Sequence, residues 1–264
     1  MMAPLAILAA LLLPFSVAAQ DAKKEIQRYQ QMIGEGSPVE LFELEGEALW
    51  KKPQGPKQAS LEKCDLGSGP GVLKGAYARL PRYFKDADRV MDLESRLLHC
   101  MQAIQGRSSE DALRRVFGNE DLPSEMEYLS AYIAGQSRGI AMSPGTSHPK
   151  EKQALALGRK LFFHRAGSWD FSCASCHGEE DKRIRMQDLP VLANPRDARP
   201  VVATWPAYRV SNSQLKTMQW RLNDCYRQMR MPEPVFASDA TVALITYLTV
   251  TGKGEPYRGP GTKR

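Results

Sequence analysis

The sequence predicts a mainly α-helical protein that consists of two related domains in tandem. Its 264 residues are long for one domain and sufficient for two small ones. Hydrophobic residues make up 42% of the chain, which favours packed cores over disorder. In each half, apolar residues recur at helical spacing, and the two halves carry similar features in the same order. Together these observations predict a duplicated helical fold.

The N-terminal segment, residues 1–19, is uncharged and apolar. An apolar run from Leu5 to Phe15 precedes the small residues Val17, Ala18 and Ala19, which is typical of a signal peptide cleaved near Ala19. No lysine or arginine precedes the run, so a retained anchor helix is the alternative, but the run is short for a membrane span. We therefore expect a mature protein that is soluble and exported, with no stable membrane anchor.

The formal net charge of +6 belongs entirely to the mature chain, because residues 1–19 carry no charged side chain. Such a surface could attract an anionic substrate or an acidic partner. For a balance this modest, ordinary solubilising charge is the simpler interpretation. No feature of the sequence indicates binding to nucleic acid.

The first domain is expected to span residues 20–145. Helices are predicted over residues 21–36 and over residues 84–106, where Val90, Leu93, Leu97 and Cys100 recur at helical spacing. A third helix lies in residues 122–139, with Ser124 as its N-cap and Gly135 as its stop. The Pro- and Gly-rich residues 45–71 predict a loop around Cys64, and residues 136–149 predict a linker.

The second domain is expected to span residues 146–264. It contains three predicted helices, one before residue 164, one within residues 211–229 and one that begins after Ser238 and stops at Gly252. The apolar positions of the first two are Leu155, Leu157, Leu161 and Phe162, and then Leu215, Met218, Leu222, Cys225 and Met229.

Two short cysteine segments suggest that the halves arose by duplication. The segment CDLGSG, which starts at Cys64, is similar to CASCHG, which starts at Cys173. Gly67 stands where the second cysteine would be, and Ser68 stands where the histidine would be. A helix bearing a further cysteine follows in each half. We infer that the first copy has lost a site that the second retains.

The C-x-x-C-H string formed by Cys173, Cys176 and His177 is the attachment signature of c-type haem. Two thiols bond to the vinyl groups of the porphyrin, and the histidine ligates the iron. A redox C-x-x-C would follow a strand in a β-α-β unit, and a zinc site would need a second ligand pair, neither of which the sequence predicts. The expected fold class is therefore mainly α, with two cytochrome c-like domains in tandem, the first without haem.

The second axial ligand of the iron is left open by the residues alone. Methionine is the usual ligand, and Met218, Met229 and Met231 are candidates beside Cys225. Of the three cysteines outside the motif, Cys64 and Cys100 both lie in the first half, so we pair them as a disulfide.

Cys225 is then unpaired, either as an inert core thiol or as a functional sulfur. Arg221 lies one helical turn before it, and Arg227 and Arg230 follow closely. Nearby cations favour a thiolate and suit an oxyanion. The remaining histidines, His99, His148 and His164, are expected to be ordinary surface or core residues.

The string WRLNDCYRQMRMP over residues 220–232 resembles the SoxA family when it follows SCASCHG and precedes the terminal ATVALITYL. SoxA proteins are the larger cytochrome subunits of the SoxAX complexes of bacterial sulfur oxidation. The resemblance implies an L-cysteine S-thiosulfotransferase that joins thiosulfate oxidatively to a cysteine of the carrier protein SoxYZ. The implied partners are a monohaem SoxX-like cytochrome, in a heterodimer, and a small cytochrome c that accepts the electrons.

Carried over residue by residue, the resemblance implies covalent haem attachment at Cys173 and Cys176, with His177 as one axial ligand. Cys225 would be the other axial ligand and the catalytic sulfur, as a cysteine persulfide, and Arg221 would bind thiosulfate. Because the first domain has no C-x-x-C-H, the implied subtype carries one haem c, with a disulfide at the lost site.

Three other functions fit parts of the sequence. The first is a plain electron-transfer cytochrome with Met229 or Met231 on the iron. The second is a thiosulfate dehydrogenase that forms tetrathionate, which the single haem motif disfavours. The third is a non-enzymatic docking subunit, which the pairing of Arg221 with Cys225 disfavours.

Overall fold

The fold is described from a computed structural model, which covers residues 38–108, 124–184 and 187–263. Its first half contains helix α1, strands β1 and β2, and helices α2 and α3; its second half contains helices α4 to α8 and strands β3 to β7. In chain order the elements are α1 Val39–Lys51, β1 Arg82–Phe84, β2 Arg89–Met91, α2 Leu93–Ala103, α3 Glu125–Gly135, α4 Pro149–Phe163, α5 Cys173–His177, β3 Arg183–Ile184, β4 Gln187–Asp188, α6 Pro195–Val202, β5 Ala207–Arg209, β6 Gln214–Lys216, α7 Met218–Gln228, α8 Asp239–Thr251 and β7 Gly261–Lys263.

Each half is organised around a pair of helices that cross at a glycine. In the first half, α1 crosses α3 at Gly46, where a Cβ atom would lie 2.1 Å from the carbonyl oxygen of Tyr128. In the second half, α4 crosses α8 at Gly158, where a Cβ atom would lie 1.9 Å from the carbonyl oxygen of Ala243. Only glycine permits two helix backbones to approach this closely, so each half contains the same type of glycine-dependent helix crossing.

The final helix of each pair begins in the same way. Ser124 caps α3 by accepting a hydrogen bond from the backbone N–H of Glu127, and Ser238 caps α8 by accepting one from Thr241. A serine side chain at this position satisfies an otherwise unpaired donor in the first helical turn. Both predicted N-caps are confirmed, and the structural repeat agrees with the predicted duplication.

The core of the first half surrounds a disulfide between Cys64 and Cys100. Both cysteines are almost fully buried, and the bridge joins positions 36 residues apart. Closing a loop of this length restricts the unfolded chain and stabilises the fold by roughly 4 kcal/mol in the entropic model. The disulfide predicted from the cysteine count is thus present.

Three local predictions are wrong, and each error has a physical cause. Residues 45–51 belong to helix α1 rather than to a loop, because Gly46 serves the helix crossing instead of breaking the helix. Val90 lies in β2, which pairs with β1 as a hairpin, and the helix starts only after its N-cap Asp92. Leu215 lies in β6, and α7 starts only after its N-cap Thr217.

A buried ion pair joins the two halves. Lys216, on β6, donates a hydrogen bond to Glu127, on α3, with 2.9 Å between Nζ and Oε1. Their side chains are 1% and 4% exposed, so neither charge is solvated by bulk water. Gln214 also accepts a hydrogen bond from the Lys216 ammonium group. Removing one partner would leave a buried charge uncompensated, so the pair fixes how β6 meets α3.

Gln219, in the first turn of α7, forms a second buried connection between the halves. Its side-chain amide donates to Asp92 Oδ2 at 2.7 Å and accepts from the backbone N–H of Ala237 at 2.7 Å. Its backbone N–H lies 3.4 Å from Glu94 Oε1. Burial, reinforced by the nearby Asp92, raises the pKa of Glu94 to about 8. The start of α7 is therefore held by a carboxyl group that is protonated at neutral pH.

The predicted signal peptide, residues 1–19, and the predicted helix over residues 21–36 lie outside the described residues. Within the part of the chain that the structure describes, no helix is both long and apolar enough to cross a membrane.

The substitution Gly158→Ala should lower the melting temperature. Alanine has a higher intrinsic helix propensity than glycine. However, its Cβ atom would clash with the backbone carbonyl of Ala243, which cannot rotate away, so α4 and α8 would have to move apart. We expect a loss of roughly 2 kcal/mol or more in the free energy of unfolding, measured by denaturant titration. A stability equal to or above that of the wild type would contradict the helix crossing.

The substitution Glu94→Gln should change how stability depends on pH. Between about pH 4.5 and about pH 8, the folded chain keeps a proton on Glu94 that the unfolded chain has already released. Wild-type stability should therefore fall across this window, by up to about 1.4 kcal/mol per pH unit from this group. The variant should lack this contribution, whereas Glu45→Gln on the exposed face of α1 should keep it. Parallel pH profiles of wild type and Glu94→Gln would exclude the protonated carboxyl.

Candidate haem-binding and sulfur site

The C-x-x-C-H string forms its own short helix. Helix α5 spans Cys173 to His177, and its N-cap Ser172 accepts a hydrogen bond from the backbone N–H of Ser175. Residues three apart lie on one face of a helix, so Cys173 and Cys176 are neighbours on the same side. Both thiols are partly buried and outside any disulfide. The short helix thus brings two sulfur atoms and an imidazole close together at one cavity.

The His177 ring is oriented by a backbone carbonyl. Its Nδ1 atom lies 2.8 Å from the carbonyl oxygen of Pro190. Because a carbonyl can only accept a hydrogen bond, Nδ1 carries the proton and Nε2 keeps its lone pair. Burial lowers the pKa of His177, which further favours the neutral ring. A neutral imidazole with a fixed tautomer is the form that ligates a metal.

The three motif residues line a cavity of about 400 Å³. The side chains around it are mostly apolar and come from α4, from the segments on either side of α5, from α6, α7 and α8, and from the residues just after α6 and α7. These apolar residues are Phe162, Trp169, Phe171, Ile184, Leu189, Pro190, Leu192, Val201, Val202, Trp205, Met218, Leu222, Met229, Leu244 and Leu248. A pocket with two thiols, one imidazole and apolar walls fits a covalently attached haem. Among the described residues, no group of three or more His, Cys, Asp and Glu side chains is arranged to hold a bare metal ion.

Cys225, on α7, lines the same cavity. Burial raises the pKa of the Cys225 thiol, and the guanidinium groups of Arg221 and Arg209 oppose this effect without overcoming it. Burial, followed by the nearby Cys225, raises the pKa of Cys173 to about 12. The nearby guanidinium groups therefore act on the pKa of Cys225 in the expected direction, but desolvation is the larger effect and favours the neutral thiol.

Arg221 and the other predicted arginines lie in different surroundings. Arg221 lines the cavity with Cys225 and forms an ion pair with Asp224. Arg227 and Arg230 line an adjacent open cleft of about 680 Å³ instead. There they lie 5.8 Å from the ring centres of Trp220 and Trp169, respectively. Only one of the three arginines predicted around Cys225 is therefore positioned inside its cavity.

The candidate methionine ligands also lie in different places. Met218 and Met229 line the cavity, whereas Met231 is not among the lining residues and packs against Gly167. The histidines outside the motif do not line the cavity either. His148 caps α4 and stacks on Tyr83, and His99 lies 3.4 Å from Asp86.

The corresponding place in the first half has a different construction. Cys64 aligns with Cys173, but its disulfide partner is Cys100, on the helix that corresponds in order to the one bearing Cys225. Arg82 donates a hydrogen bond to the carbonyl oxygen of Gly67 at 2.5 Å, where a second motif cysteine would stand. The first half therefore has a covalent cross-link where the second has its haem motif.

Two cations that carry no signal in the sequence also line the cavity. They are Arg209, at the end of β5, and Lys263, at the end of β7. Both lie far from the haem motif along the chain, so no local pattern predicts them. Only the pairing of strand β7 with β5 brings Lys263 to the site.

The chain matches the model of the SoxA/TsdA cytochrome c domain family over two ranges, residues 45–142 and 157–257. These matches confirm the predicted fold class of two tandem cytochrome c domains. By fold, the chain is similar to SoxXA from P. pantotrophus, with a TM-score of 0.70 and 24% identity over 86% of this chain and 79% of that one.

Curated relatives cover most of the chain. It is 48% identical to the L-cysteine S-thiosulfotransferase subunit SoxA of Hydrogenophilus thermoluteolus, over 91% of this chain and 88% of the relative. It is 35% identical to the subunit of the same name from Hydrogenobacter thermophilus, over 92% and 90%. The chain therefore belongs to the SoxA/TsdA cytochrome c family, and within that family to the SoxA proteins.

Proposed function

We propose that this protein is the cytochrome subunit of a periplasmic L-cysteine S-thiosulfotransferase, which transfers thiosulfate oxidatively to a cysteine thiol of a SoxYZ carrier. The names of its relatives support the activity. The observation that carries the proposal is that Cys225 and Arg221 share one cavity with Cys173, Cys176 and His177. A sulfur nucleophile, an oxyanion-binding cation and a redox centre are then within one site.

The cofactor in this proposal is one haem c. Cys173 and Cys176 would hold it by thioether bonds, His177 would bind the iron through Nε2, and Cys225 would bind the iron through its sulfur. A count of one is supported by the Cys64–Cys100 disulfide, which occupies the corresponding place in the first domain. Bound there, the haem supplies an acceptor for the released electrons and a positive centre that favours the Cys225 thiolate despite burial.

The overall reaction joins the carrier's thiol to the outer sulfur of thiosulfate. A carrier cysteine and thiosulfate give a cysteine S-thiosulfonate, one proton and two electrons. The Cys225 persulfide sulfur first bonds to the outer sulfur of thiosulfate, and this bond formation releases the two electrons. The carrier thiolate then attacks that outer sulfur, takes the thiosulfonate group and leaves the Cys225 persulfide ready for another cycle.

Arg221 holds the sulfonate end of thiosulfate during this exchange. Its guanidinium group is partly buried and carries an ion pair with Asp224, which restrains the side chain from turning toward solvent. A planar guanidinium can donate two parallel hydrogen bonds to the oxygens of a sulfonate. With the sulfonate held there, the outer sulfur is directed toward Cys225 on the next turn of the same helix.

The proposed assembly is a heterodimer with a monohaem SoxX-like cytochrome, which the likeness in fold to SoxXA from P. pantotrophus supports. SoxYZ supplies the thiol, and a small cytochrome c receives the electrons. The proposed domains are residues 20–145 and 146–264, after removal of residues 1–19 as a signal peptide. The mature chain then works in the periplasm without a stable membrane anchor.

A plain electron-transfer cytochrome is the second candidate, because Met229 also lines the cavity. In that function Met229 is the axial ligand, and Cys225 is a buried thiol without a chemical role. The two candidates differ in one property, which is whether the iron spectrum and the transfer of thiosulfate both depend on Cys225.

The substitution Cys225→Met should retain covalent haem and abolish thiosulfate transfer. Haem attachment needs only Cys173 and Cys176, whereas the covalent step needs the Cys225 sulfur. We expect the thiolate-type low-spin signal in electron paramagnetic resonance to become methionine-type, and turnover with SoxYZ to fall by roughly 1,000-fold or more. A methionine-type signal in wild type and variant alike, with no thiosulfate transfer by either, would establish the plain electron carrier instead. Normal turnover of the variant would exclude the covalent role of Cys225.

The substitution Arg221→Met should lower kcat/KM for thiosulfate by roughly 100-fold, since it removes a charged donor from the substrate. Arg221→Lys should recover part of the loss, because it restores the charge but not the paired donors. Arg159→Met, on the exposed face of α4, serves as the matched control and should behave like wild type. Equal kcat/KM values for Arg221→Met and the control would exclude Arg221 from substrate binding.

A further inference from the structure

The C-terminal strand β7 delivers a lysine to the cavity of Cys225. It pairs in parallel with β5, and Lys263 is opposite Arg209 in the register. Paired residues on neighbouring strands project to the same face of a sheet. Both side chains accordingly line the cavity that Arg221 and Cys225 line.

Lys263 lies in surroundings that are unusual for a lysine. No hydrogen bond or ion pair joins its ammonium group to another of the described residues. Burial, followed by the positive charges of Arg209, Arg221 and Arg258 in that order, lowers the pKa of Lys263 to about 8. Like charges gathered at a partly buried place repel one another unless an anion joins them.

Among the described side chains that line the cavity, cations outnumber acidic groups, with Arg209, Arg221 and Lys263 against Asp188. Asp224 is engaged by Arg221, and Arg258 is paired with Glu255 at 3.0 Å. Asp188, the one carboxylate among the described residues lining the cavity, forms an ion pair with Arg183 at 3.1 Å. Positive charge is therefore in excess at the cavity, and a small multivalent anion would complement it.

We propose that Lys263 is a specificity-determining residue that, together with Arg209 and Arg221, binds the dianionic sulfonate substrate. This inference rests on the proposed function and adds a second and a third cation to it. Arg221 contributes a planar guanidinium with paired N–H donors, whereas Lys263, on the C-terminal strand, contributes a compact point charge. Three cations select a doubly charged oxyanion over a singly charged one, because the attraction scales with the charge.

Substrate binding should then have a defined pH dependence. The protonated ammonium attracts the dianion and the neutral amine does not, so the affinity for the anion should weaken as pH rises through about 8. The arginines keep their charge throughout this range. Replacing Lys263 by arginine should therefore remove the pH dependence while keeping the attraction. The other titratable groups that face the cavity are Cys173, Cys176, His177 and Cys225, which hold the haem in the proposed function, and Asp188.

The test uses the haem-loaded complex with its partner cytochrome, as wild type, Lys263→Met, Lys263→Arg and Lys253→Met. Lys253 is an exposed lysine of the same domain and is the matched control. For each protein, KM and kcat for thiosulfate are measured with SoxYZ from about pH 6.5 to about pH 9.5. Binding of sulfate, which is a redox-inert dianion, is measured by calorimetry, and the haem potential is measured by spectroelectrochemistry.

We expect Lys263→Met to raise KM about 10-fold at neutral pH with little change in kcat, and to weaken sulfate binding by a similar factor. Lys263→Arg should have the wild-type KM at neutral pH, and this KM should stay constant above about pH 8. In wild type and Lys253→Met, KM should rise above about pH 8. The haem potential should be the same in wild type, Lys263→Arg and Lys253→Met, which all keep a cation at residue 263.

Two results would overturn the inference. One is that Lys263→Met has the KM and sulfate affinity of wild type. The other is that its haem potential shifts while sulfate affinity is unchanged, which would assign Lys263 to a carboxylate of the haem. If the wild type itself transfers no thiosulfate, the proposed function fails, and sulfate affinity still decides the role of Lys263.

Discussion

The close crossing of α4 and α8 at Gly158 is the constraint on which the site depends. Because the two backbones touch, α8 presents Leu244 and Leu248 to the cavity directly beside Phe162 of α4. Helix α5 packs against α4, to which residues 164–172 connect it, so the position of α4 at the crossing also affects where Cys173 and His177 lie. A side chain at residue 158 would therefore displace the walls and the ligands together.

Within that site, desolvation and charge act in opposite directions on the same sulfur. The apolar walls that accommodate a haem also raise the pKa of Cys225, and the arginines only reduce this effect. A reactive thiolate in such a cavity requires a stronger positive centre than a guanidinium, and in our proposal iron coordination would supply it. The proposed chemistry of Cys225 thus depends on the cofactor, because desolvation alone favours the neutral thiol.

Much of the fold and of the candidate site could be predicted from local sequence. The C-x-x-C-H motif, the serine caps and the Cys64–Cys100 pairing are all set by nearby residues or by counting, and the structure contains the last two as predicted. The errors arise where tertiary contacts override local pattern, because Gly46 resembles a helix breaker and Leu215 fits a helical face. Lys263 could not be predicted for the same reason, since strand pairing alone brings it to the cavity.

The two halves tie their corresponding cysteine segments to a following helix in different ways. In the first half, the position that aligns with Cys173 is bonded directly to a cysteine on the following helix. In the second half, Cys173 and Cys225 face a common cavity, and in our proposal they are connected through the cofactor. Each domain thus ties its motif segment to the next cysteine-bearing helix. In our proposal, the Cys64–Cys100 cross-link takes the place of the cofactor in the core of the first domain, and the chemistry belongs to the second domain.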